Sequence, residues 1–426
     1  MNIYISGISG TGMGPLALMA KDAGFRVFGS DLSEGAIYPE LLKKGIEVKI
    51  GEQDGEFLAE KMKEGVDWFI YTSALPEDHP ELKIAKEAGI KCTKRDDFTA
   101  FLVEKLNLKM VAVAGTHGKT TTTAMIIWAS LKLQLPVAYI VGTTLGFAPS
   151  GSYRKGDRFF IYEADEYDRN FLKYHPWIAV IPAVSYDHPD IYPTREDYEK
   201  AFSQFRDQSE MVVEATGDGI KWADGEYALY KTEDFKLAGE ARRIDAGLAA
   251  NAVMRIFDDE MKEEGFDTLF TPLTMIDIMN KFPGIGRRFE RITDGVYSDY
   301  AHHPEEIMAT MEIAQEEAKM NGKKGVVVLY QPHQNTRQHE VKDEYHSAFL
   351  GAEKIFWLPT YLTRENPELK VIEPEEFIEG LENREVAEEV ELNDELSRKL
   401  KEYVKDDYLV ILMTAGPADE WFRKVF

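Results

Sequence analysis

The run Gly115-Thr116-His117-Gly118-Lys119-Thr120-Thr121 has the residue types that hold a polyphosphate. Backbone N–H groups of a glycine turn wrap phosphate oxygens, and a helix starting there adds its positive end. Lys119 can reach the β- and γ-phosphates, and Thr120 can offer its hydroxyl to Mg²⁺. The common phosphate-loop pattern would place a further glycine at Val113, so this turn is a variant of it. Two acidic or basic clusters suit the same chemistry. Glu163-Ala164-Asp165-Glu166-Tyr167-Asp168 closes a predicted strand, where a carboxylate beside a phosphate loop can bind Mg²⁺. Asp187-His188-Pro189-Asp190 follows the next apolar strand, and a neutral imidazole there can bind a divalent ion.

A second glycine run, Gly7-Ile8-Ser9-Gly10-Thr11-Gly12 with Met13 after it, joins the first predicted strand to the first helix. It fits a loop that admits a diphosphate, and Asp31 ends the next strand, where an acid can reach a ribose hydroxyl. By itself this pattern suits a nicotinamide dinucleotide. Near the other end, Asp299-Tyr300-Ala301-His302-His303-Pro304 closes one strand and Gln331-Pro332-His333-Gln334-Asn335-Thr336-Arg337 closes the next. Two polar strand ends suggest a cleft facing the ATP site.

These clusters need strands that end in loops, and the pattern supplies them in three blocks. Up to about Leu108, strands at 2–7, 27–31 and 68–74 alternate with helices at 13–23 and 80–88, which implies a parallel doubly wound sheet. The second block opens with the strand at 110–115 and adds strands at 159–165 and 177–184; the glycines and proline of 282–289 read as a hinge. The third has strands at 296–300, 325–330, 355–358 and 408–413 and helices at 304–320, 394–404 and 418–425. The Glu-rich stretch from Glu365 to Glu391 reads as a solvated face. The fold expected is α/β in three domains, 1–108, 109–290 and 291–426. At roughly 150 residues per domain, 426 residues also suggest about three.

Composition narrows the function. A net charge of −25 leaves no basic excess for nucleic acid. No run of apolar residues is long enough for a membrane span, the start MNIYISG lacks the regions of a signal peptide, and one cysteine, Cys92, fits a reducing cytoplasm.

In order along the whole chain, the segments GISGTGMG, GSD, AGTHGKTTTT, EADEYDRNFL, DHPDIY, GIGRRFE, DYAHHPEE and QPH resemble those of the Mur ligases, which build the peptide stem of bacterial cell-wall precursors. The resemblance implies a Rossmann-like UDP-binding domain, a central ATPase domain with a mainly parallel sheet and a Rossmann-like C-terminal domain. It implies an ATP-dependent ligase that joins L-alanine, or a similar small amino acid, to the carboxylate of UDP-N-acetylmuramate through an acyl phosphate. Carried over by position, Lys119, Glu163 and His188 are catalytic, Thr120 and Glu163 hold one Mg²⁺ and His188 the other. Gly115–Thr121, Arg288 and Asp299 bind ATP. Gly7, Ser9, Gly10, Thr11, Gly12, Met13, Asp31 and Ser73 bind the UDP substrate, and Tyr300, His302, His303, His333 and Arg337 the amino acid. The protein would act in the cytoplasm as a monomer or homodimer, with no nucleic-acid or membrane partner.

The chain departs from the family at several positions. Ala241 and Asp245 stand where the family has His and Asn near the adenine, Ala183 replaces an Asn, and Gln334 replaces an arginine for the amino-acid carboxylate. Ser203 stands where later ligases of the pathway carry a carbamylated lysine, which favours the alanine-adding branch. The tripeptide-recycling ligase of the same family is the alternative; a nicotinamide oxidoreductase and an ATP-driven switch are the readings from other classes.

Overall fold

In this computed structural model, every residue is described except Ser73, Ala74, Pro189, Asp190, Tyr227, 265–271, Arg364 and Pro367. The chain forms two compact units. The first comprises 1–235 and 244–282, the second 236–243 and 283–426.

The first unit holds two sheets. Strands β1 (Asn2–Ser6), β2 (Arg26–Asp31), β3 (Glu47–Ile50), β4 (Trp68–Tyr71) and β5 (Lys91–Lys94) form a parallel sheet in the order β3-β2-β1-β4-β5. The chain order reverses between β1 and β4, the switch point at which open α/β sheets take ligands. The second sheet is built from β6 (Lys109–Val113), β7 (Val137–Ile140), β8 (Gly151–Ser152), β9 (Phe159–Glu163), β10 (Ile178–Ile181), β11 (Met211–Thr216) and β12 (Gly219–Trp222), in the order β12-β11-β10-β6-β9-β7-β8. Its two edge pairs, β11–β12 and β7–β8, are antiparallel and the others parallel. Strands β6, β7, β9 and β10 are almost continuously apolar, as expected of strands covered on both faces.

One apolar core serves both sheets of this unit, running from Ile3 and Leu16 to Phe160 and Tyr198. The fit is close. A side chain on Gly151 would lie 2.0 Å from the Pro15 carbonyl oxygen. Polar ties reinforce it: the Tyr162 and Tyr174 hydroxyls both donate to buried Asp96 at 3.0 Å.

The second unit carries β13 (Glu290–Thr293), β14 (Val296–Asp299), β15 (Val326–Gln331), β16 (Ala352–Trp357), β17 (Ala387–Glu389) and β18 (Leu409–Thr414), ordered β13-β14-β18-β15-β16-β17. Only β13–β14 is antiparallel among these pairs. The Glu-rich stretch is not simply solvated. Ile372, Phe377 and Leu381 are buried in this unit's core, and a short helix, Pro374–Ile378, forms there. Glu365 also turns inward. Its carboxylate accepts the N–H groups of Thr363 (2.9 Å), Asn335 (3.0 Å) and Thr336 (3.0 Å). Burial alone would raise its pKa, but these donors hold it below the usual range.

Candidate active site

Strand β6 lies between β9 and β10, so the loops that follow these three strands meet at one edge of the second sheet. The helix Lys119–Lys132 starts at the glycine turn, with Gly118 as its N-cap at φ +80°. Glycine is required there twice over. The left-handed conformation costs other residues roughly 1–2 kcal/mol. A side chain would also lie 2.6 Å from Asp245 Oδ1 and 2.9 Å from Pro182. Asp245 Oδ1 accepts the Thr122 hydroxyl at 2.8 Å, so the position where the family carries Asn now packs the start of the phosphate-loop helix. The Ala183 carbonyl accepts the Thr116 N–H at 2.9 Å, a backbone role indifferent to the missing Asn side chain. The Thr116 hydroxyl bonds the Ser185 carbonyl at 2.6 Å and the Tyr198 hydroxyl at 2.8 Å, which fixes the loop after β10 against the turn.

Lys119 folds back over its own turn. Its ammonium donates to the Gly115 carbonyl at 2.5 Å and pairs with Glu166 Oε1 at 2.8 Å. Glu166 is 1% exposed, and its other oxygen is buried with no hydrogen-bond partner. The Thr120 hydroxyl donates to Glu163 Oε1 at 2.9 Å. His188 Nε2 stands 3.7 Å from Glu166 Oε1, which raises the imidazole pKa above its usual value. Its backbone is left-handed, at φ +57°. Burial, and then Glu166, push the Asp165 carboxyl up. Sequence reasoning brought Lys119, Thr120, Glu163 and His188 together but passed over Glu166, one of four carboxylates in its motif with nothing in spacing to single it out. His117 is exposed beside them, and Ser203 is exposed on the helix Arg195–Asp207.

The site fits Mg²⁺. A hydroxyl facing a carboxylate and an unpartnered buried carboxylate oxygen beside an imidazole are oxygen- and nitrogen-donor pairs. No group of three or more such side chains gathers among the described residues. Mg²⁺ does not require one, because it is commonly held by one or two carboxylates together with water and substrate phosphates.

At the first sheet's switch point, Gly7 (φ +79°) and Ile8 donate to the Ser30 carbonyl at 2.8 and 3.1 Å. Ser9 N–H donates to Asp31 Oδ2 at 2.8 Å, so Asp31 braces the glycine turn itself. Gly10 and Thr11 are exposed on the turn, and Met13 is buried beneath it. A side chain on Gly12 would lie 2.7 Å from an Arg95 nitrogen, which puts a cation against this loop that no motif flagged. Ser73 lies outside the described residues.

In the second unit, the Asp299 carboxylate is 7% exposed and accepts the Phe289 N–H (2.6 Å), the Ala301 N–H (2.8 Å) and the Thr310 hydroxyl (3.2 Å); burial raises its pKa. It thereby shapes the turn that presents Tyr300 and His302. Glu306 accepts the His302 N–H at 3.0 Å and the His303 N–H at 3.3 Å, and pairs with His302 Nδ1 at 3.0 Å. Burial works against its charge, yet His302 holds its pKa down at about 2. Arg288 is exposed over the Tyr300 ring at 5.2 Å, and Arg337 has no hydrogen bond or ion pair among the described residues.

Comparison with known proteins agrees with this geometry. The Mur ligase family catalytic domain matches residues 2–105, and the Mur ligase middle domain matches 113–286. A UDP-N-acetylmuramate–L-alanine ligase of Campylobacter jejuni subsp. doylei is 31% identical over 89% of this chain and 91% of its own length. The chain belongs to the Mur ligase family. This Mur ligase is accordingly an ATP-dependent enzyme that forms amide bonds, and the nicotinamide reading of its first glycine turn falls away. The relative of the same name from Carboxydothermus hydrogenoformans is 30% identical over 97% of this chain and 94% of its own. Among solved structures, the UDP-N-acetylmuramate–alanine ligase of Thermotoga maritima shares the three-domain α/β fold, with a TM-score of 0.76 at 21% identity over 100% of this chain and 98% of its own. No helix among the described residues of the Mur ligase is long and apolar enough to cross a membrane.

Proposed function

We propose that the enzyme joins L-alanine, or a similarly small amino acid, to the carboxylate of UDP-N-acetylmuramate in peptidoglycan precursor synthesis. The observation that carries this reading is the meeting of Lys119, Thr120, Glu163, Glu166 and His188 at the ends of three neighbouring strands. The shared name of relatives at 30–31% identity supplies the substrates and does not favour the tripeptide-recycling alternative. Phosphoryl transfer between oxygens chiefly needs positioning and charge neutralisation. Lys119 and the N–H groups of Gly115–Thr121 would hold the ATP phosphates while the muramyl carboxylate oxygen attacks the γ-phosphorus, giving an acyl phosphate and ADP. The amine of the amino acid then attacks the acyl carbon, the amide forms and phosphate leaves. Thr120 and Glu163 would hold one Mg²⁺ and His188 the other, and such ions neutralise phosphate oxygens when bound.

The turn at Gly7–Met13, with Asp31 and Ser73, is proposed for the UDP portion. Tyr300, His302, His303, His333 and Arg337 are proposed for the amino acid, and Arg288 and Asp299, on resemblance alone, for the nucleotide. The same reading proposes domains at 1–108, 109–290 and 291–426 and a cytoplasmic monomer or homodimer. The test is phosphate release from ATP with UDP-N-acetylmuramate and Mg²⁺, screened against single amino acids and the tripeptide. Stimulation by L-alanine supports the proposal; stimulation by the tripeptide alone selects the recycling reaction, and equal release without any amine selects an ATP-driven switch.

A further inference from the structure

At the C-terminal edge of the third sheet, where β14, β18 and β15 lie side by side, six residues close a ring. The Arg287 guanidinium stands 4.6 Å from the Tyr300 ring centroid. Tyr300 meets His302 at 5.5 Å, His302 meets His333 at 5.8 Å, and His333 meets Tyr361 at 5.7 Å. A side chain on Gly416 would come within 3.3 Å of Tyr361 Cβ, and the Gly416 carbonyl accepts from Arg287 Nη2 at 3.3 Å, which completes the circuit.

Charge within this ring is unbalanced. Arg287 Nη2 also donates to the Thr414 carbonyl at 2.6 Å, but carbonyls offer only partial charge. Its Nε is buried with no hydrogen-bond partner, and Nη1 has no acceptor among the described residues. The carboxylate that pairs with it, Asp419, stands 3.9 Å away and is already engaged by Arg423 at 2.8 Å and Ser298 at 2.5 Å. Burial accordingly lowers the proton affinity of Arg287. His333 Nδ1 is likewise buried without a partner, and burial, His302 and Arg337 push that imidazole down. A buried cation with spare donors gains most from an anion that can accept two parallel hydrogen bonds. The turn is set before any ligand arrives, since the Arg287 N–H is tied to Glu290 at 2.8 Å with Arg287 at φ +54°.

We propose that this ring seats the α-carboxylate of the amino-acid substrate, with Arg287 as its charged anchor; the inference rests on the ligase reading above. Arg287 then supplies the fork of donors that neutral Gln334 does not, and Tyr300, His302 and His333 wall the carboxylate from water.

The experiment compares L-alanine with L-alaninamide, which keeps the amine and methyl but lacks the charge, in ATP-dependent phosphate release with UDP-N-acetylmuramate. The parent should show a KM for alaninamide roughly 10- to 100-fold above that for alanine. In Arg287→Met the KM for alanine should rise by that factor while those for alaninamide and ATP stay near the parent values, and Arg287→Lys should recover part of the loss. An unchanged alanine-to-alaninamide ratio in Arg287→Met overturns the proposal. A readout on the parent guards against a variant that does not fold. His333, assigned by comparison with His333→Gln, should show a raised pKa by NMR with alanine and no change with alaninamide; no shift with either overturns the seat. If no single amino acid stimulates the parent at all, the amino-acid-adding reading itself falls and the seat with it.

Discussion

The turns at Gly7–Met13 and Gly115–Thr121 share one plan, a parallel strand passing through glycines into a helix, and they are furnished in opposite ways. The first is braced by its own neighbours. The Gly7, Ile8 and Ser9 N–H groups go to Ser30 and Asp31, those of Gly10 and Met13 go to the turn's own carbonyls, Ser9 is 2% exposed, and the nearby cation, Arg95, comes from another element. The second carries its own lysine and hydroxyl, each paired with a carboxylate from the adjoining strand end. The contrast separates a turn that offers shape from a turn that offers reactive charge. Glycines alone therefore do not distinguish binding from chemistry; the side chains brought in by adjacent strands do.

The largest expected effect falls on the second turn. Lys119→Ala should cut ATP-dependent phosphate release by about 10³-fold or more, in the range of losing a preorganised charged donor. Binding of the UDP substrate, measured by calorimetry, should stay at the parent level. A comparable loss of UDP-substrate binding would erase the division between the turns. Next, Gly118→Ala should lower turnover and thermal stability together, because the new methyl group meets Asp245 and Pro182. The matching change in the first turn, Gly10→Ala, meets only the Gly7 carbonyl at 3.3 Å and should shift the melting temperature little. Equal melting shifts in the two variants would count against the steric account.

Glu163→Gln should raise the Mg²⁺ concentration for half-maximal rate by about tenfold, with the rate recovered at high Mg²⁺. An Mg²⁺ titration that overlays the parent would remove Glu163 from the metal. The smallest effect belongs to Asp31→Asn. Loss of the charged acceptor for the Ser9 N–H should raise the KM for the UDP substrate by about five- to tenfold and leave that for ATP alone. A change in the ATP value instead would show that the first turn does more than bind.

Much of this was legible in the sequence because apolar strands ending in polar loops announce both the sheet and its working edge. Strands β1, β2, β6, β9, β10, β14 and β18 fall where the apolar runs place them, and Lys119, Thr120, Glu163 and His188 converge as expected. What was not legible depends on partners chosen in three dimensions. Glu166 and Asp165 are adjacent acids in one motif, yet only the fold shows Lys119 lying against the former. Arg95 follows a lysine and precedes two aspartates, a surface-like setting that hides its approach to Gly12. From Glu365 to Glu391 the acidic residues outweigh the few apolar ones; Phe377 and Leu381 have a helical i, i+4 spacing, but Ile372 does not extend it into a longer period, and so the burial of that segment went unseen.

The Lys119–Glu166 pair has a consequence for how nucleotide is captured. Because the ammonium already has a buried carboxylate and a carbonyl as partners, an arriving phosphate is a competitor for it, and capture is an exchange. The observed affinity is then a difference between two contacts, and a ligand gains only what it offers beyond Glu166. Inorganic phosphate, with no base or ribose to add further contacts, is poorly equipped to win that exchange, whereas a whole nucleotide can. The ion pair thus sets a threshold that every phosphate ligand meets alike, and a nucleotide clears it through whatever further contacts its base and ribose add.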